Sequence, residues 1–191
     1  MGEKELRGLV DFFHLLERLK LEKRQGWLNH GVKDCESVAG HSFRLALMAM
    51  VFGKRQGLDE CKAVKMALVH DLPEAVCGDI ATTPSDERNQ ELQAEKHKRE
   101  EKALKKVLAG LGGKAREEIW GLWQEYEKRE SKEAKLVFEL DRMEGIFQAR
   151  EYESRENFKA SLEVFNEFGN ERLKDEELKA VFDILMEERK G

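Results

Sequence analysis

The sequence predicts an all-α fold, one helical bundle of about six to eight helices, on three observations. Proline is nearly absent, with Pro73 and Pro84 the two such residues in a chain of 191. Apolar residues recur at three- and four-residue spacing in segment after segment, and no segment sustains the period-two alternation of a half-buried strand. Lys, Glu, Ala and Leu, all good helix formers, are abundant throughout. A chain of this length is expected to form one domain, spanning 1–191.

The elements follow in order. Leu6, Val10, Phe13, Leu16 and Leu19 predict a first helix with an inward stripe, ending near Lys23. A turn-rich stretch, RQGWLNHGVKDCES, separates it from a helix that Ser37 starts as N-cap and that carries Val38, Leu45, Met48 and Phe52 inward. Gly53–Gly57 ends that helix. A third helix runs from about Asp59, with Val64, Ala67 and Leu68 on one face, and stops at Pro73. Residues Pro73–Asp86 are expected to be irregular. A charged helix over Glu87–Ala109 then turns Leu104, Val107 and Leu108 inward, and Gly110–Gly113 breaks it. Three further helical patterns cover 115–128, 131–153 and 156–188, the last split at Gly169–Asn170.

Charge and composition exclude several functions. Thirty-four Lys and Arg against 39 Asp and Glu leave a net charge of −5, which argues against electrostatic capture of nucleic-acid polymers or anionic membranes. The longest apolar run, Leu45–Phe52, is far short of the roughly 20 residues a membrane helix needs. Cys35, Cys61 and Cys77 have no CxxC spacing, so neither a disulfide framework nor a zinc ribbon is indicated. The N-terminal segment lacks a signal-peptide core, and Leu6 stands where a myristoylation motif requires Ser or Thr. A cytoplasmic protein is expected.

Chemistry is expected where polar residues interrupt apolar stripes, because an unpartnered buried charge is very costly. His41 lies three residues after Val38 and four before Leu45. His70 follows Met66 and Ala67, Asp71 follows Ala67 and Leu68, and Asp141 follows Val137 and Phe138. One divalent cation would satisfy two imidazoles and two carboxylates together, and this N/O donor set suits Mn, Co, Fe, Zn or Mg. Taken singly, each residue also has a plainer reading. An inward histidine is more often a hydrogen-bonded core residue, His-Asp pairs arise by chance, and Asp141 could pair with a core arginine such as Arg44.

The surrounding words decide between these readings. ESVAGHSFRLALMA (36–49), ALVHDLPEAVCGDI (67–80) and LVFELDRMEGIFQA (136–149) resemble the HD-domain metal-dependent phosphohydrolases. The closer likeness is to their small 5′-deoxynucleotidase branch, in which HDxxExxxGD follows an upstream His and precedes a downstream Asp. The likeness covers most of residues 10–155, with the helices of 156–191 expected to pack on that core. It implies that His41, His70, Asp71 and Asp141 are metal ligands and that Glu74 is the leading catalytic residue. It further implies that Asp79 binds the sugar or active-site solvent. In an alternative, Glu74 and Asp79 hold a second cation such as Mg²⁺, which favours carboxylate-rich sites. Gly40 departs from the pattern, since relatives carry an acidic or polar residue before the first ligand. How His41 is supported is therefore an open point. Binuclear relatives carry two extra histidines between the HD pair and the final Asp, where this chain has only His97, and the GYP word of cyclic-dinucleotide phosphodiesterases is absent.

Around these residues the expectations are less specific. Arg24 can clamp phosphate bidentately, and Trp27 can press on ribose or base. In the resembled branch this region excludes a 2′-hydroxyl. The plainer reading of both is a helix-end Arg and an anchoring core Trp. His14 and His30 read as structural and His97 as solvated or partly packed. Lys96, Lys98 and Arg99 read as a solvated face, with phosphate contacts the other reading, and Trp120, Trp123 and Tyr126 as core or a dimer surface. The expected activity is metal-dependent hydrolysis of (2′-deoxy)nucleoside 5′-monophosphates. The rivals are HD phosphohydrolysis of a triphosphate, alarmone or diester, a non-catalytic metal- or nucleotide-binding regulator, and a purely stabilising metal clip. A homodimer is expected.

Overall fold

The computed structural model describes residues 2–83, 86, 88–155, 161–170 and 173–188. Helices run over Glu3–Leu21 (α1), Gln25–Asn29 (α2), Val38–Arg55 (α3), Glu60–Val69 (α4) and Glu74–Cys77 (α5). They continue over Gln90–Val107 (α6), Gly113–Lys128 (α7), Lys132–Glu153 (α8), Glu163–Asn170 (α9) and Glu176–Glu187 (α10), with a 3₁₀ turn at Leu108–Gly110. Eight of these helices have eight or more residues, in line with the expected bundle. Among the described residues the one extended pairing is an isolated antiparallel bridge between Lys23 and Ser37. Pro84 and the start of the last helical pattern, 156–160, lie outside the described residues.

Local signals set the boundaries. Ser37, Asp59, Asn89, Ser131 and Asp175 each accept a hydrogen bond from a backbone N–H in the first turn that follows, satisfying donors the helix cannot satisfy itself. The α4 helix ends at Val69, before Pro73. The pyrrolidine then occupies the N-cap of α5, where its missing N–H costs nothing.

The core is built around α8. Leu136, Val137, Leu140, Met143 and Ile146 of this helix are buried against Leu45 and Ala49 of α3 and Ala63, Met66 and Ala67 of α4. The α9 and α10 helices pack on the same helix, as Leu178, Phe182 and Leu185 show by joining its cluster. A second cluster joins Phe12 and Leu19 of α1 to Val38, Leu104, Val107, Leu108 and Trp123.

Two apolar stripes differ from expectation. Of the stripe expected on α1, Leu19 is buried and Leu16 partly covered, while Leu6, Val10 and Phe13 are exposed, because the helix turns the row of Phe12 and Leu19 inward, with Leu9 and Leu15 partly covered. Leu68 is likewise exposed, while Ala67 is buried. Where two apolar rows lie side by side on one helix, periodicity cannot say which one a neighbour covers.

The placement of α1 depends on glycine. Gly8 crosses the turn at Gly110 so closely that a Cβ on Gly8 would lie 2.2 Å from the Gly110 carbonyl oxygen.

Candidate active site

The α3, α4 and α8 helices pack together and each supplies part of one polar cluster. Ser37 Oγ accepts from the Gly40 N–H and so fixes the start of α3. The resulting register puts Val38, His41, Ser42 and Leu45 on the buried face. Gly40 itself is exposed, so beyond its N–H bond to Ser37 no side chain at position 40 supports the imidazole.

His70 caps α4 in helical backbone geometry, with its N–H bonded to the Met66 carbonyl. Its Nδ1 lies 2.8 Å from the Ala67 carbonyl oxygen. A carbonyl only accepts, so Nδ1 carries the proton and Nε2 presents its lone pair. Asp71 begins the turn into α5. That one-turn helix ends at Gly78, whose φ of +74° suits glycine.

The donors converge. His41 Nε2 lies 3.1 Å from Asp141 Oδ1 and 3.9 Å from Asp71 Oδ2, and His70 Nε2 lies 3.0 Å from Asp71 Oδ2. Donor atoms of His41, His70 and Asp71 fall within 4.8 Å of one another. Both histidine Nε2 atoms are buried and, although each lies beside a carboxylate, neither makes a well-aligned hydrogen bond. Two orphaned imidazole nitrogens beside two carboxylates fit a divalent cation with N and O ligands. Asp141 is further fixed by the Tyr126 hydroxyl, which donates to Oδ2 at 3.2 Å, and by Arg142 at 3.3 Å. Arg44, the partner considered for Asp141, instead binds Glu144, Gln148 and Glu151, because it lies one helical turn beyond His41 on α3.

Electrostatics separate the carboxyls. Burial opposes ionisation of Asp71, but His70, Arg24 and His41 hold it well below the usual carboxylate range. Asp141 is likewise held low by Arg142, His41 and His70 against its burial. Glu74 goes the other way: burial, reinforced by Asp71 and Asp79, pushes its carboxyl well above the ordinary value. Burial and Arg24 disfavour the His41 cation, yet Glu144 and Asp141 outweigh them and push the imidazole up to about 10. A ligating imidazole must be neutral, so cation binding here displaces a proton.

The cluster opens into a cleft lined by Arg24, Trp27, Asp71, Glu74, Asp79, Lys96, Asp141, Arg142 and Phe165, among others. Every expected site residue lies in or beside this cleft. Arg24 Nη1 donates to Asp71 Oδ2 at 3.0 Å, and the guanidinium also stands 4.0 Å from Asp79 and from Asp141. Asp79 Oδ2 accepts the Gln25 N–H at the start of α2, so Asp79 ties down the segment that carries Arg24. Trp27 is almost fully buried. Its indole N–H donates to Glu36 at 2.9 Å, and its ring stacks on Phe165 with centroids 4.1 Å apart.

The remaining candidates divide. Lys96 lines the cleft and reaches Glu100 at 3.4 Å, so the phosphate reading stays open for it. Arg99 donates to the Cys77 carbonyl, and Lys98 is exposed. His97 stacks on Trp123 and pairs with Glu127, and His30 bonds the Gly26 carbonyl. Trp123 and Tyr126 are buried.

Sequence reasoning missed Glu144 and Phe165. The signal for Glu144 was its position three residues after Asp141 on one helix face, and it lies 2.5 Å from His41. For Phe165 no local signal exists, since it reaches the cleft only through the packing of α9 on α8.

Known proteins resemble this chain in sequence and in fold. The family model of the HD domain matches residues 16–181. The 5′-deoxynucleotidase HDDC2 of Homo sapiens is 43% identical over 159 residues, 83% of this chain and 75% of that one. The crystal structure of the PH0347 protein from Pyrococcus horikoshii OT3 superposes with a TM-score of 0.72 at 35% identity, covering 93% of this chain and 96% of that one. A protein of Magnetospirillum magnetotacticum described as a predicted metal-dependent phosphohydrolase matches with a TM-score of 0.73 at 25% identity, over 97% and 93% of the two chains. With the H…HD…D residues gathered at one buried centre and the family's model spanning most of the sequence, the chain belongs to the HD-domain family.

Proposed function

We propose that the protein hydrolyses nucleoside 5′-monophosphates, preferentially 2′-deoxy forms, to nucleoside and inorganic phosphate. The observation that carries this reading is the convergence of His41, His70, Asp71 and Asp141 beside the buried Glu74 in one cleft. The name 5′-deoxynucleotidase borne by the relative from Homo sapiens supports it.

His41, His70, Asp71 and Asp141 would hold a divalent ion, which would supply polarisation of the phosphoryl oxygens, a lowered pKa for bound water and neutralisation of developing charge. Mn, Co, Fe, Zn and Mg all suit the donor set. The chain's own groups do the rest. Arg24 and Lys96 bring positive charge to the phosphate. Glu74, whose carboxyl is raised by burial and by Asp71 and Asp79, gives a proton to the leaving O5′ as the P–O bond breaks. The proton shed by the incoming water restores the Glu74 acid, so atoms and charge balance over the cycle. The alternative to this role is that Glu74 and Asp79 hold a second cation. Trp27, backed by Phe165, forms the wall that a 2′-hydroxyl would meet.

In this reading the protein acts in the cytoplasm on a small molecule, with neither nucleic-acid polymer nor membrane as partner. No helix among the described residues is long and apolar enough to cross a membrane. Self-association as a homodimer completes the reading, and light scattering tests it.

The test of the activity is a phosphate-release screen of dAMP, dGMP, dTMP and their ribonucleotides against Mn²⁺, Co²⁺, Mg²⁺ and Zn²⁺. Release of phosphate with equimolar nucleoside supports it, and tripolyphosphate from a deoxynucleoside triphosphate would sink it.

A further inference from the structure

We infer that Glu144 is the positioning residue for His41, and that it works as the centre of a polar clamp between α3 and α8. His41 and Glu144 are both fully buried. Glu144 Oε2 lies 2.5 Å from His41 Nδ1, on the side of the ring opposite the Nε2 that faces Asp141. An ionised carboxylate accepts only, so Nδ1 keeps its proton, and the proton displaced on cation binding is the one at Nε2, which then presents its lone pair.

The second oxygen is committed as well. Arg44 Nε donates to Glu144 Oε1 at 2.8 Å, Nη2 donates to Gln148 Oε1 at 2.7 Å, and Nη1 donates to both oxygens of Glu151 at 2.7 and 2.9 Å. The two helices match in register. His41 and Arg44 lie three residues apart on α3, while Asp141, Glu144, Gln148 and Glu151 follow one another at three- and four-residue steps along α8. These spacings put each set on one helix face. The same α8 face therefore offers Asp141 to Nε2 and Glu144 to Nδ1.

The clamp answers the question raised by Gly40. In this chain His41 is held from across the bundle, so the preceding residue needs no polar side chain. The inference rests on His41 being a metal ligand, and its test separates the two claims.

The measurement is Co²⁺ binding to the purified protein, followed by chelator competition and by the visible absorption of the bound ion. Glu144→Gln, which keeps the shape but removes the charge, is expected to weaken Co²⁺ binding by about 10–100-fold and to alter the absorption spectrum. Arg44→Gln is expected to weaken binding in the same direction but less, and it decides the matter if Glu144→Gln does not fold. Ile146→Val, a core change on α8 away from the clamp, is expected to lower the melting temperature and leave both Co²⁺ readouts unchanged. Wild-type affinity and spectrum in folded Glu144→Gln, or in Arg44→Gln where Glu144→Gln is unfolded, would overturn the inference while leaving the metal site intact. A losing effect of Ile146→Val equal to that of Glu144→Gln would also overturn it, because affinity would then follow stability alone. Failure of the wild-type protein to take up Co²⁺ would overturn the underlying site.

Discussion

Arg24 and Asp71 are 47 residues apart in sequence, yet Arg24 Nη1 donates to Asp71 Oδ2 at 3.0 Å. The guanidinium is held at the mouth of the acidic centre by three carboxylates, Asp71, Asp79 and Asp141. That position suits a group that offsets carboxylate charge and receives an incoming phosphate. Arg24→Gln is expected to raise KM for a nucleoside monophosphate by about 10-fold or more, since a charged hydrogen bond contributes about 1.5–3 kcal/mol, with kcat reduced less. Steady-state kinetics on dAMP check the split. A loss confined to kcat would place Arg24 in the chemical step instead.

Glu74 is expected to be lost in rate and not in binding. Glu74→Gln should lower kcat by about 10²–10⁴-fold, the usual worth of a positioned acid, while Co²⁺ titration remains as in the wild type. The sign of the pH dependence follows from the raised pKa. The acid form is the working form, so kcat falls as pH rises through that pKa, and Glu74→Gln lacks this alkaline limb. A kcat–pH profile that instead falls only on the acid side would assign Glu74 as a base.

Glu100 ties stability to pH. Burial, together with Glu127 and Asp71, pushes its carboxyl up to about 7 against the opposing pull of Lys96. Unfolded, such a group titrates near about 4.3. Between these values the folded state binds more protons, so this residue's contribution to stability falls as pH rises through the window and levels off above about 7. Glu100→Gln removes that dependence. The variant is expected to gain on the order of 3–4 kcal/mol over the wild type at about pH 8 and about 0.5 kcal/mol near about pH 4.5. Urea denaturation of both proteins at the two pH values checks it.

Gly8 offers a prediction of opposite sign to helix propensity. Gly→Ala inside an exposed helix ordinarily stabilises by about 0.5–1 kcal/mol. Here the added Cβ would strike the Gly110 carbonyl oxygen at 2.2 Å. Gly8→Ala is expected to destabilise by about 1–3 kcal/mol, read as a lower melting temperature. A higher one would show that α1 lifts freely from the 108–110 turn.

Much of this was legible in the sequence because its signals are local. Ser37, Asp59 and Ser131 announce helix starts, and His41, His70, Asp71 and Asp141 break apolar stripes on three helices that must then face one another. What escaped depends on which surface meets which. The outward turn of Leu6, Val10 and Phe13 follows from α1 burying the row of Phe12 and Leu19. Arg44 was matched to Asp141 by residue type alone, whereas its place one turn beyond His41 delivers it to Glu144. Phe165 enters the cleft from a helix more than twenty residues beyond Asp141 in sequence, and no spacing rule reaches that far.

The most direct test of the central claim is phosphate release from dAMP by the same protein sample before chelation, after chelation and after a divalent ion is restored. The expected result is phosphate and deoxyadenosine in equal amounts, loss of both on chelation, and recovery with the added ion. Turnover that survives complete chelation, or the absence of phosphate with every divalent ion in the screen, would contradict it.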